Sequence, residues 1–135
     1  MTGEISFHYD PVAGLRTATY RGAVDDACLL AAYAGLKERP DFVPIAHDLA
    51  DLRGVTDLGL TAQGLGELGR MYSGGDRSQV PRSLPGLAIV ATGPLAFGMS
   101  RMFQLMNEHI LAKQIRVFED YDEALAWLRA LPSAV

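Results

Sequence analysis

The polar residues best placed for chemistry are Asp48, Asp51 and Arg53, in the run His47-Asp48-Leu49-Ala50-Asp51-Leu52-Arg53, with Asp57 just beyond. Carboxylates this close could divide acid and base roles, and a neighbouring guanidinium could clamp an anion. If a short strand ends near Leu49, the three carboxylates cluster at its C-terminal edge, where open α/β sheets bind ligands. The plainer alternative is an Asp/Arg ion pair with turn and capping duties. An enzyme using Asp48, Asp51 and Arg53 requires them to converge in a cleft with perturbed pKa values.

Other constellations are weaker. His8, His47 and His109 are far apart, and none has a second ligand at helical spacing, so neither a metal nor a cofactor is expected. Cys28, the single cysteine, sits beside Leu29 and Leu30 and reads as a small buried hydrophobe. There is no Gly-x-Ser-x-Gly elbow and no Gly-Lys-Ser/Thr. Gly64-Leu65-Gly66-Glu67-Leu68-Gly69 matches G-x-G-x-x-G, but a dinucleotide site needs those glycines in the turn directly after a strand. Here a helix capped by Thr61 starts before them. They fall inside it and suit close helix packing. The segment 94–110 is richer: Leu95, Met99, Met102, Phe103, Met106 and Ile110 form an apolar stripe. Phe97 lies off that stripe, so Phe97, Ser100, Arg101, Met102 and Gln104 are the candidate partner or ligand surface.

The elements that must position these groups follow from periodicity. Residues 5–9 and 15–20 read as strands joined by the turn residues Asp10-Pro11-Val12-Ala13-Gly14, an antiparallel hairpin. A helix capped by Asp25 runs to about Lys37, and Pro44–Leu49 is a short third strand. The Thr61 helix is followed by the wholly apolar strand 87–92, a helix starting at Pro94, a strand at 115–118 and a last helix capped by Asp120. The order β-β-α-β-α-β-α-β-α predicts an α/β fold, a mostly parallel five-stranded sheet with an N-terminal hairpin and four helices. One domain is expected across residues 1–135, with a core of about 4–131 and a long polar loop at 73–84.

Composition narrows the function classes. Twelve basic and sixteen acidic residues give a net charge of −4, so no basic footprint exists for nucleic acid or an anionic membrane. Hydrophobic residues make up 49% of the chain, enough for a core without disulfide or metal staples. No apolar run approaches the ~20 residues of a membrane span, and the N-terminus lacks a signal-peptide pattern. A cytoplasmic protein that is not integral to a membrane is expected.

Several strings resemble the STAS/SpoIIAA-like superfamily, whose fold is that of bacterial anti-sigma-factor antagonists, and in particular its small uncharacterised bacterial members. They are Asp51-Leu52-Arg53-Gly54-Val55, Ala88-Ile89-Val90-Ala91, Phe97-Gly98-Met99-Ser100-Arg101-Met102-Phe103 and the tail from Arg116 to Leu128. The resemblance implies a domain with no enzymatic activity that binds a regulatory partner and is switched by a phosphoserine in an Asp-Ser-Ser-Gly-Leu-Gly-like motif. The matching string is Thr61-Ala62-Gln63-Gly64-Leu65-Gly66, which puts Ala62 at the acceptor position and leaves Thr61 as a weak phosphorylation candidate. The same broad fold resembles CRAL-TRIO domains, which hold a lipid in an apolar pocket. The expectation is therefore a non-catalytic interaction or regulatory module, a homodimer by the commonness of that symmetry. The alternative is a binder of a small apolar or lipid-like ligand between the third helix and the sheet.

Overall fold

Strands β1 (Glu4–Asp10) and β2 (Leu15–Asp25) form the N-terminal hairpin. Its turn is held locally: the Asp10 carboxylate accepts from the backbone N–H groups of Val12 and Ala13 at 3.0 and 3.3 Å, and Gly14 takes φ 63°. The structure, a computed structural model, describes residues 3–73, 84–111 and 113–134. Beyond the hairpin come α1 (Asp26–Lys37), β3 (His47–Gly59), α2 (Ala62–Ser73), β4 (Gly86–Val90), α3 (Pro94–Asn107), β5 (Gln114–Phe118) and α4 (Tyr121–Ala130). The strands lie in sequence order. The β1–β2 pair is antiparallel, and the β2–β3, β3–β4 and β4–β5 pairs are parallel. This is the expected α/β architecture. Most of the predicted loop, residues 74–83, lies outside the described residues.

The sheet separates two apolar clusters. On one face Ala18, Tyr20, Ala50, Leu52, Ile89 and Ile115 pack with Leu29 of α1, Leu65 and Leu68 of α2 and Phe103 of α3. On the other, Leu49, Ala88, Val90 and Phe118 pack with Ala124 and Leu128 of α4. Neighbours in sequence such as Leu49 and Ala50 face opposite ways, as the two-residue period of a strand dictates. Buried on both faces, β4 is apolar throughout.

Two expectations need correction. The third strand does not end near Leu49; it begins at His47 and runs to Gly59. Its distal half pairs with β2 beyond Val90, the last residue of β4, so Arg53–Gly59 are bordered by one strand only and stay largely exposed. Their polar residues and Gly54 therefore carry none of the apolar signature of a central strand. Asp48, Asp51 and Asp57 do not cluster at a strand edge: Asp48 to Asp57 spans about 30 Å of extended chain.

The second correction concerns α3. Ser100, Phe103 and Asn107 form its buried face, while Leu95 is 63% exposed and Leu105 65%. The buried direction is turned about a quarter revolution from the apolar stripe. The reason lies in α2. A Cβ at Gly69 would meet the Asn107 Oδ1 at 1.8 Å, so the two helices touch where one side chain is missing. The Asn107 amide donates to the carbonyls of Leu65 and Phe103, which makes its burial acceptable. The glycines of the G-x-G-x-x-G string are thus inside α2, and Gly64 and Gly69 serve packing.

Candidate functional site

In β2, residue 16 shares the inward parity of Ala18 and Tyr20; in β3, residue 48 shares that of Ala50 and Leu52. Strand register pairs Arg16 with Asp48 directly. Two charged side chains are therefore forced together on the face covered by helices. The Arg16 Nε donates to Asp48 Oδ1 at 2.7 Å and its Nη2 to Oδ2 at 3.1 Å, a bidentate pair. The Arg16 Nη1 donates to the Val43 carbonyl at 2.9 Å, and its Cζ lies 5.0 Å from the Phe42 ring centre. Lys113, one residue before β5, donates its Nζ to the same Asp48 Oδ2. The side chains are 5%, 17% and 14% exposed for Arg16, Asp48 and Lys113.

Burial pushes the Asp48 carboxyl up, but the charges of Lys113 and Arg16 and their hydrogen bonds more than reverse this, holding it below the usual carboxylate range. Burial lowers the Arg16 guanidinium and Asp48 raises it further, for a net upward shift. Beside this triad stand three tyrosines. The Tyr20 and Tyr33 hydroxyls are 2.6 Å apart, and the Tyr72 hydroxyl donates to the Tyr33 carbonyl at 3.0 Å. Burial raises all three phenols well above their ordinary value, so they are neutral hydrogen-bonding groups and not bases.

The triad and tyrosines form the polar end of a cavity of about 100 Å³ between the sheet and α1–α3. Its remaining wall is apolar, including Ala18, Leu29, Ala50, Leu65, Met99 and Phe103. Ser100 also lines it, but its hydroxyl is engaged by the Ala96 carbonyl at 2.8 Å.

The sequence-predicted groups are distributed as follows. Asp48 belongs to the triad. Asp51, three residues on, points to the opposite face, and Arg53 follows it there. The two form their own pair at 2.9 Å, with the Arg53 guanidinium 4.5 Å from the Tyr121 ring centre. Asp48, Asp51 and Arg53 therefore do not converge, because an odd sequence separation inverts the side of a strand. The five α3 residues do not make one surface either. Ser100 is buried, Phe97 and Met102 are partly buried, Arg101 is exposed and hydrogen-bonded to Gln104, and the Gln104 amide donates to the Ile115 carbonyl. The Thr61 hydroxyl accepts from the Gly64 N–H at 3.1 Å and donates to the Asp26 carboxylate at 2.5 Å. Ala62 opens α2 and has no hydroxyl. Cys28 is half-buried, and burial with nearby Asp25 pushes its thiol up, away from thiolate reactivity. Arg16 and Lys113 escaped the sequence reading. A signal existed for Arg16, a charge at the inward parity of an alternating strand; Lys113 had none.

The fold has solved counterparts. An uncharacterized protein of the DUF3478 family with a SpoIIAA-like fold, from Shewanella loihica PV-4, superposes with a TM-score of 0.58, 17% identity and coverage of 93% of each chain. An anti-sigma factor antagonist from Mycobacterium paratuberculosis superposes with a TM-score of 0.60, 19% identity and coverage of 95% of each chain. The chain has the SpoIIAA-like fold. No protein-family model matches it, and no curated protein matches its sequence.

Proposed function

We propose that the protein is a non-catalytic regulatory module of the STAS type that acts in the cytoplasm by binding proteins. The observation that carries this reading is the full-length likeness to a fold used by an anti-sigma factor antagonist. It gains support from α3, whose outward residues Leu95 and Leu105, with Ile110 just beyond the helix, expose apolar surface suited to a partner. A phosphoserine switch is not carried over. Ala62 stands at the acceptor position, and a phosphate on Thr61 would face the Asp26 carboxylate that now holds its hydroxyl. The protein is a homodimer through the outer face of α3. Light scattering at micromolar concentration should give twice the 14.6 kDa chain mass, and Leu105→Glu should return a monomer. A wild-type monomer overturns the dimer.

The cavity favours a second role, the capture of a small apolar ligand beneath α3. At about 100 Å³ it suits a small molecule rather than a full lipid chain. A native mass spectrum of freshly purified protein reads stoichiometry and retained ligand together.

A further inference from the structure

The polar end of the cavity is unbalanced. Arg16 and Lys113 bring two cations, and Asp48 is the one carboxylate in an ion pair with either of them among the described residues. Hydrogen bonding is uneven in the same sense. Of the five N–H donors of a guanidinium, Arg16 spends three on the described residues, on Asp48 and the Val43 carbonyl. Of the three on an ammonium, Lys113 gives one to Asp48. The Tyr20–Tyr33 hydroxyl pair consumes one of its two protons. Among the described residues the site is thus rich in donors and positive charge, with one anion for two cations. It closes one end of the cavity of about 100 Å³, whose remaining wall is apolar. An engineered apolar cavity of about 150 Å³ takes benzene, so this space takes about four heavy atoms.

We propose that the cavity binds a short unbranched aliphatic carboxylate, whose carboxylate accepts hydrogen bonds from Lys113 and Arg16 and whose chain lies against Leu65, Met99 and Phe103. This rests on the ligand-binding reading above and gives the ligand its chemical class. A carboxylate restores charge balance at a place where water access is small and each charge-assisted hydrogen bond counts for more. An uncharged alcohol of the same length fills the apolar space equally and leaves the excess charge in place.

The test is a titration of the full chain, with 13C-labelled methionine methyl groups, by acetate and separately by ethanol in a neutral buffer free of other carboxylates. Acetate should shift the Met99 methyl resonance saturably and bind at least about tenfold tighter than ethanol. Lys113→Met should weaken acetate about tenfold and leave ethanol unchanged, while Lys113→Arg should keep the preference. Equal binding of acetate and ethanol overturns the anionic-head assignment and leaves the ligand-binding reading standing. So does unweakened acetate binding by Lys113→Met. If neither compound moves the Met99 methyl, both readings fall.

Discussion

Asp48 and Asp51 show how much a single position matters. Both are acidic, both lie in one strand and both pair with arginine, yet their surroundings differ. Asp48 is enclosed with two cations, whereas the Arg53 partner of Asp51 is 48% exposed. Breaking a buried pair strands a charge and costs about 3–5 kcal/mol, whereas a solvated pair is worth up to about 1 kcal/mol. Asp48→Asn should therefore destabilise the protein far more than Asp51→Asn at neutral pH, as read by urea unfolding. The sign of the pH dependence follows from the depressed carboxyl of Asp48. A group whose folded pKa is lowered contributes stability above its unfolded value of about 3.9, and that contribution fades as pH falls through the lower folded value. The gap between wild type and Asp48→Asn should be widest at neutral pH and close progressively below about pH 4. A gap independent of pH across that range would mean that the carboxylate charge contributes nothing there.

Helices α2 and α3 meet through a missing side chain. Gly69 leaves room for Asn107, and Gly64 does the same for the Asp26 carboxylate, which also accepts from the Thr61 N–H at 2.9 Å. Glycine in a helix interior is unfavourable by about 1 kcal/mol relative to alanine, so alanine would stabilise α2 where its Cβ has room, as at Gly66, whose Cβ would meet nothing nearer than 3.4 Å. At Gly69 the sign reverses. The Cβ of Gly69→Ala would overlap the Asn107 amide, and overpacking of a tight contact costs about 1–3 kcal/mol. Asn107→Ala removes the obstructing amide, so the double variant should be more stable than the two single losses added together. Additive losses in a denaturant double-mutant cycle would show that the helices do not meet through this pair. The same contact explains the rotation of α3: what faces α2 is a residue able to satisfy the Leu65 carbonyl, and part of the methionine-rich stripe is left outside.

At the scale of the molecule, the sheet divides two interiors with different work. The α4 face is closed by Ala124, Leu128 and Trp127 over Val90 and Phe118. His47 ties this architecture together. Its Nδ1 accepts from the Gly86 N–H at 2.9 Å, so its Nε2 carries the proton and donates to the Pro132 carbonyl, joining β3, β4 and the segment after α4. The α1–α3 face contains the cavity and the triad. Leu128→Ala should cost about 2–5 kcal/mol of stability by emptying the α4 side, while leaving ligand-induced shifts at Met99 unchanged. Loss of those shifts in the folded variant would show that the two interiors are coupled.

Residue order alone determined much of this protein. Alternation at 5–9 and 15–20, the caps Asp25, Thr61 and Asp120, the proline at 94 and the apolar run at 87–91 are local signals. They are sufficient for the element order, the hairpin and the α/β class because hydrogen-bonding and burial requirements act over a few residues. The length of β3 was not legible, since its distal residues have a single neighbouring strand and need not be apolar. Nor was the site. Arg16 meets Asp48 across 32 residues and Lys113 meets it across 65, and only strand register and crossover placement bring them together. The parity of Arg16 and Asp48 marked them as inward, but which face is covered by three helices, and what space remains beneath them, depends on how Gly69 and Asn107 set α2 against α3. Those are packing decisions, made between side chains distant in sequence, and the tertiary structure alone decides them.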